Sequence, residues 1–174
     1  MPRARRVYKV GGPALEDPAL VAPLAAEIRG FKGDVALVHG GGRQVERMLQ
    51  QLGIESRFIN GRRETSPAAM AIVEMVLSGS MNKALASGLL QAGVPAIGIS
   101  GRDGGLIRAG LVPDLGVVGS PDHVNPEVLE ALWAGKFVPV IAPVSSGPSG
   151  EAVNVNADEA AQAIARRIGA ETLV

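Results

Sequence analysis

The apolar run Val35-Ala36-Leu37-Val38 meets His39 and then three consecutive glycines, Gly40, Gly41 and Gly42. Four apolar residues in a row suit a strand covered on both faces. Three residues without β-carbons at its exit let backbone N–H groups come close to a charged oxygen. The triplet therefore reads either as a phosphate cradle or as a pliable strand-to-helix turn. Its flanks narrow the fold. Upstream, residues 7–10 form a short apolar strand interrupted by Lys9 and stopped by Gly11, Gly12 and Pro13. Asp17-Pro18 then opens a helix with Leu20, Val21, Leu24 and Ile28 on one face. Downstream, Val45, Met48, Leu49 and Leu52 make the stripe of the next helix. Strand, helix, strand, glycines and helix in that order call for an α/β fold, a mostly parallel sheet with helices on its faces.

The chain's 174 residues suffice for a single domain with a substantial core. Lys and Arg total 17, as do Asp and Glu, so no net field draws nucleic acid or an anionic membrane. Cysteine is absent, which excludes disulfides and thiol nucleophiles and fits a cytoplasmic protein. No apolar run is long enough to span a bilayer. The two histidines, His39 and His123, are far apart, and no His, Asp and Glu grouping has metal-ligand spacing.

Arg57 to Thr65 breaks the α/β rhythm. Asn60-Gly61 favours a tight hairpin turn, and Arg62 and Arg63 beside it are either carboxylate or phosphate contacts or a solvated tip. Ser66-Pro67 opens a helix running through Leu77. Gly79 should break it, and a new helix should run from Asn82 to Gln91. A strand over 95–99 follows, then a loop over 100–105 and a hairpin pairing 106–109 with 115–119 across Pro113-Asp114. Next come a helix from Asn125-Pro126-Glu127 with Trp133 in the core, a strand over 137–141 and a polar loop over 145–150. Asn154, Asn156 and Asp158 fall at or before the N-terminus of an alanine-rich helix, where Asp158 is either a simple N-cap or a functional carboxylate. Lys9, inside a buried strand, needs a carboxylate partner or a place at a cleft edge. Met70, Ile72, Val73, Met75, Val76 and Leu77 offer more apolar surface than one core-facing stripe uses, so this helix and the one over 82–90 are expected to contribute to a homodimer contact.

Taken together, Lys9-Val10-Gly11-Gly12, Val38-His39-Gly40-Gly41-Gly42, Asn60-Gly61-Arg62-Arg63-Glu64-Thr65, Asn82-Lys83, 98–104 and Asn154-Val155-Asn156-Ala157-Asp158 resemble the amino acid kinase family, and within it the acetylglutamate kinases. The resemblance covers the chain from Val7 to Val174. It implies a three-layer αβα sandwich built on an open, mostly parallel sheet with β-hairpin excursions. It also implies that residues 1–174 are the acylamino-acid-binding lobe, with the nucleotide-binding C-terminal lobe absent or truncated. By the same resemblance, Lys9 faces the transferring phosphoryl group and Asp158 orients it. Gly11, Gly12, Gly41 and Gly42 supply phosphate-binding N–H groups, Gly41 and Gly42 also meeting the substrate. Arg63 holds the substrate's α-carboxylate, and Asn154 contacts the bound amino acid. The implied reaction is ATP-dependent phosphorylation of the γ-carboxylate of N-acetyl-L-glutamate in arginine biosynthesis, with Mg²⁺ held by the nucleotide phosphates. The small-molecule substrate is the implied partner, with no nucleic acid or membrane. Glu64 stands where the family's pattern has an apolar residue, which keeps open a different substrate, as in a carrier-linked aminoadipate kinase of lysine biosynthesis. The expected lack of the nucleotide lobe keeps open a non-catalytic amino-acid-binding module.

Overall fold

The computed structural model describes residues 3–12, 15, 17–59 and 61–174. Its centre is the strand seen first in the sequence. β2 (Asp34–His39) is buried at all six positions. It pairs in parallel with β1 (Arg5–Val10), with Lys9 opposite Val38 and Val10 opposite His39. β8 (Val138–Ala142) and β5 (Ala96–Ser100) extend the sheet on one side and β11 (Thr172–Leu173) on the other. The resulting order is β11-β1-β2-β8-β5, every neighbour parallel.

Because side chains alternate along a strand, β2 feeds two cores at once. Val35 and Leu37 join Tyr8 and Val10 against α1 (Val21–Gly30) and α4 (Asn82–Gln91), where Ala25, Ile28, Leu85 and Leu89 are buried. Ala36 and Val38 join Val7 on the other face, beneath α5 (Glu127–Ala134) and α6 (Ala157–Ile168), with Leu129, Trp133, Ala160 and Ile164. The Trp133 indole N–H, deep in that layer, donates to the Val35 carbonyl at 2.8 Å. A third cluster lies where α2 (Gly42–Gln51) packs on α3 (Pro67–Glu74), burying Val45, Leu49, Met70, Val73 and Leu77 with Ala142 and Val144. The three-layer sandwich expected from the sequence is the fold observed.

Four short strands form a small closed barrel in the order β10-β7-β6-β9. The β6 (Ile107–Leu111) and β7 (Val118–Val124) arms pair antiparallel from Ile107 opposite Val124 to Leu111 opposite Gly119. The second arm therefore begins three residues later than the expected 115–119 and runs to Val124. Part of the expected 145–150 loop is strand too, since β9 (Val144–Ser146) pairs with β10 (Ala152–Val155). These strands are three to seven residues long and polar in places, so their alternation is weak. Closing the barrel buries Val144, Val153 and Val155, a reward no local pattern announces. The expected hairpin at 57–65 forms from β3 (Arg57–Ile59) and β4 (Arg62–Glu64). Asn60, the first residue of its expected Asn-Gly turn, lies outside the described residues, as does Pro13.

The break expected at Gly79 does not occur. Ser66 caps α3 by accepting from the Ala69 N–H at 3.1 Å, and the helix runs on through a π-helical segment, Met75–Met81, into α4. A glycine in a helix lowers its stability without forbidding it, and the wider π turn changes the phase of the side chains that follow. Met70, Ile72, Val73, Val76 and Leu77 are buried in the chain's own core and Met75 alone of the six is exposed, so the apolar excess behind the homodimer expectation is largely satisfied internally.

The new phase puts Asn82, fully buried, beneath the sheet. Its Nδ2 donates to the Val140 carbonyl at 2.9 Å and stands 3.1 Å from both the Ile99 carbonyl and His39 Nε2, so one side chain ties β2, β8 and β5 together. Gly98 permits this approach: a β-carbon there would stand 2.2 Å from Asn82 Oδ1. Gly98→Ala should therefore displace Asn82 and destabilise the fold by about 1–3 kcal/mol, read from urea midpoints; an unchanged midpoint would show that the contact is dispensable. His39 beside it should make the fold acid-sensitive. Burial holds its pKa below the ordinary 6.5, with the nearby Lys83 ammonium acting in the same direction and the bond to the Gly40 carbonyl opposing both. Above about pH 6.5 both folded and unfolded states carry a neutral ring and this contribution is fully present. As the pH falls below that value, the unfolded chain takes up a proton that the folded chain refuses, so stability declines until the folded pKa is passed. Urea midpoints taken from about pH 7.5 to about pH 5.5 should fall more steeply for the wild type than for His39→Asn, and parallel slopes would contradict this.

Candidate functional site

At the C-terminal edge of the sheet, β1 and β2 end side by side and each releases the chain through glycines. The Gly40 N–H donates to the Val10 carbonyl at 2.9 Å, which fixes the start of the triplet against β1. Gly41 has φ of 146°, a backbone conformation that favours glycine, and a β-carbon there would lie 2.7 Å from Leu77 Cδ2. α2 then starts at Gly42 without a side-chain cap. Neither the Gly41 nor the Gly42 N–H has an acceptor among the described residues. Open parallel sheets place ligands at such an edge, where strand ends and helix N-termini meet.

Lys9 emerges at the same edge. Its Nζ lies 3.1 Å from Asp158 Oδ1, the ion pair expected from the sequence. Asp158 is free for this pairing because it is not the cap: Asn156 accepts from the Asp158 N–H at 2.8 Å and the Glu159 N–H at 3.2 Å. Lys9 is 31% and Asp158 58% exposed, so solvent screens the pair and it contributes more to orientation than to stability.

Arg63 is the buried cation of the site, 7% exposed on β4. Its Nη1 donates to the Glu46 carboxylate and to Ser56 Oγ, its Nη2 donates to the Gly42 carbonyl at 3.0 Å, and the guanidinium carbon lies 4.6 Å from the Phe58 ring centroid. The Arg63 hydrogen bond holds the Glu46 carboxyl below its ordinary range, against the opposing effect of burial. A guanidinium has five N–H bonds. Both on Nη1 and one on Nη2 are engaged, so Nε and the remaining Nη2 hydrogen have no acceptor among the described residues. That pair can form a side-on fork suited to a carboxylate. Asn154 is coupled to the arginine through Thr65: its Nδ2 donates to Thr65 Oγ1 at 3.1 Å, and that hydroxyl donates to the Arg63 carbonyl at 2.8 Å.

Lys9, Gly11, Gly12, Gly41, Gly42, Arg63, Asn154 and Asp158 all line one cleft of about 260 Å³. Its apolar walls are Val45, Phe58, Val73 and Leu77. The sequence reading missed the parts that hold the arginine. Glu46 reads as an ordinary solvent-facing residue on an amphipathic helix, and Phe58 as one apolar residue of a hairpin. Arg62, beside Arg63, faces away from its neighbour's partners and pairs with Glu159 at 2.6 Å, bracing the hairpin against the start of α6. Among the described residues no three His, Cys, Asp or Glu side chains are grouped as metal ligands, and no helix is long and apolar enough to cross a membrane.

Comparison with known proteins bears on what this cleft belongs to. The acetylglutamate kinase of Rubrobacter xylanophilus is 49% identical over 168 residues, a match covering 97% of this chain and 65% of the relative. The acetylglutamate kinase of Geobacillus thermodenitrificans is 45% identical over 171 residues, 96% of this chain and 66% of the relative. The chain thus spans about two thirds of the length of these curated relatives. Among solved structures, smu.665 from Streptococcus mutans UA159 superposes with a TM-score of 0.86 at 26% identity, covering 97% of this chain and 70% of that one. N-acetylglutamate synthase from Neisseria gonorrhoeae, complexed with coenzyme A and N-acetyl-glutamate, superposes at 0.80 over 99% of this chain and 41% of that one; at 20% identity this is a likeness of fold. With residues 4–174 matching the family's profile and relatives near half identity across the same span, the chain belongs to the amino acid kinase family.

Proposed function

We propose that this chain is the acylamino-acid lobe of an acetylglutamate kinase, a phosphotransferase that uses ATP to phosphorylate the γ-carboxylate of N-acetyl-L-glutamate and works with a nucleotide-binding lobe. The observation that carries the reading is the open fork of Arg63. The guanidinium is already desolvated and held on three sides, in one cleft with a lysine and two glycine N–H groups that have no acceptor among the described residues. A substrate with two carboxylates fits this arrangement, its α-carboxylate on Arg63 and Asn154 nearby, its γ-carboxylate toward Gly41, Gly42 and Lys9. Relatives named acetylglutamate kinase support the choice of substrate.

The chemistry follows from charge. A carboxylate is already ionised near neutral pH, so the attacking group needs no general base. The nucleotide, with Mg²⁺ on its phosphates, supplies the phosphoryl group. The chain's own part is to position the substrate and to neutralise the negative charge that accumulates in an in-line transfer. Lys9 brings a cation to that charge, with Asp158 restricting where its ammonium can point. Gly11, Gly12, Gly41 and Gly42 bring the backbone close enough for N–H donors to act on the same oxygens.

Titration calorimetry of this chain tests the substrate end. N-Acetyl-L-glutamate should bind, and Arg63→Lys, which keeps the charge and loses the fork, should weaken binding at least about tenfold. The α-amide of the same ligand should bind wild type and Arg63→Lys almost equally weakly, because the group that distinguishes them is gone. Wild-type binding of the α-amide as tight as that of the acid would refute the assignment of Arg63. Kinetics of the full-length enzyme test the other end. Lys9→Ala should lower kcat by at least about a hundredfold with little change in the KM for N-acetyl-L-glutamate. Asp158→Asn should lower it less, and the double variant should lose less than the product of the two. Losses that multiply would mean that the pair does not act as a unit.

A further inference from the structure

His39 has a role that its motif does not explain. It is fully buried behind the glycine triplet, does not line the cleft and, among the described residues, makes one polar contact with each ring nitrogen. Nδ1 lies 2.7 Å from the carbonyl oxygen of Gly40, the very next residue. A carbonyl can only accept, so Nδ1 carries the hydrogen and donates. In a neutral ring Nε2 is then the acceptor. It faces Asn82 Nδ2 at 3.1 Å, a donor. The amide of Asn82 cannot be reversed to oppose this, because its Nδ2 also faces the Ile99 and Val140 carbonyls while Lys83 Nζ donates to its Oδ1 at 3.2 Å. Asn82 therefore selects the tautomer of His39, and that tautomer holds the Gly40 carbonyl.

The consequence for the cleft follows from peptide geometry. No peptide bond among the described residues is cis, so the carbonyl of Gly40 and the N–H of Gly41, which share one planar unit, point in opposite directions. A carbonyl drawn back toward the imidazole turns the Gly41 N–H away from the core, on the side where Gly41 lines the cleft. Without that bond this unit could rotate at low cost, since glycines on both sides impose little torsional preference. Rotation would present a carbonyl oxygen, the wrong charge, to an anionic ligand. On the other side the Gly40 N–H is already fixed to the Val10 carbonyl, leaving the Gly40–Gly41 unit as the soft element of the loop.

We propose that His39, set in its Nδ1–H tautomer by Asn82, is a positioning residue that aims the Gly41 N–H at the anionic oxygen bound in the cleft. The ligand's identity rests on the functional reading above; the orientation of the peptide does not.

Two substitutions separate this role from simple filling of the core. His39→Asn can place its amide N–H where Nδ1 stands and keep the bond to the Gly40 carbonyl, while losing the reach to Asn82. His39→Gln keeps an acceptor near Asn82 and fills more of the space, while losing the donor to Gly40. In long-range ¹H–¹⁵N spectra His39 of the wild type should show a protonated Nδ1 and an unprotonated Nε2; the opposite tautomer overturns the proposal. The carbonyl ¹³C resonance of Gly40 should stay near its wild-type position in His39→Asn and move in His39→Gln. N-Acetyl-L-glutamate, titrated into this chain, should bind His39→Asn within about threefold of wild type and His39→Gln at least about tenfold more weakly. Equal losses, or the reverse order, would assign His39 to packing. Absence of binding by the wild type would count against the functional reading, and the tautomer and the Gly40 resonance would still decide the role of His39.

Discussion

β2 is the constraint to which the other elements conform. A parallel strand buried on both faces has no water to satisfy it and no exposed side on which to turn. Its chain must leave the sheet through groups that find partners within the protein. β2 does so with a histidine held by Asn82 and a glycine held by Val10, and only afterwards does the backbone open toward solvent. Beyond that point the Gly41 and Gly42 N–H groups have no acceptor among the described residues. Function at this edge is the remainder left when a buried strand has satisfied all it can.

The cleft is electrostatically prepared in two ways. Arg63 is desolvated and loses freedom through Glu46, Ser56, the Gly42 carbonyl and the Phe58 ring, so little reorganisation remains when a ligand arrives. Lys9 is part-exposed and pairs, among the described residues, with Asp158, so its ammonium can follow a moving charge. A held cation and an adjustable one in the same cleft suit the dicarboxylate substrate proposed above. The chain's zero net charge hides this arrangement, because Lys9 and Arg63 are each offset by a neighbouring carboxylate, Asp158 and Glu46.

How much of this could be read from the sequence depended on how local the cause was. The β2 run, the glycines after it and the helix after Asn156 announce themselves within a few residues, and the need of a strand-borne lysine for a carboxylate is equally local, whereas Asp158 as that carboxylate was implied by the family resemblance. Asp158 was nevertheless open to reading as the cap, since Asn156 and Asp158 are both good capping residues and only the backbone angles choose between them. The continuity of the helix across Gly79 was invisible because it is a tertiary outcome: the π turn brings Asn82 under three strands, two of them later in the chain. The small barrel was missed for the same reason, and so was Glu46, whose importance lies in an arginine 17 residues away.

Backbone and side-chain ¹H–¹⁵N shift mapping of this chain during titration with N-acetyl-L-glutamate tests the central claim most directly, because it locates the ligand without requiring turnover. The account predicts that perturbations concentrate on the Gly41 and Gly42 amides, the Arg63 Nε–H and the Asn154 side-chain amide. Perturbations confined to Val112, Asp114 and Leu115 in the adjoining cavity of about 660 Å³, with the glycine amides unmoved, would contradict it.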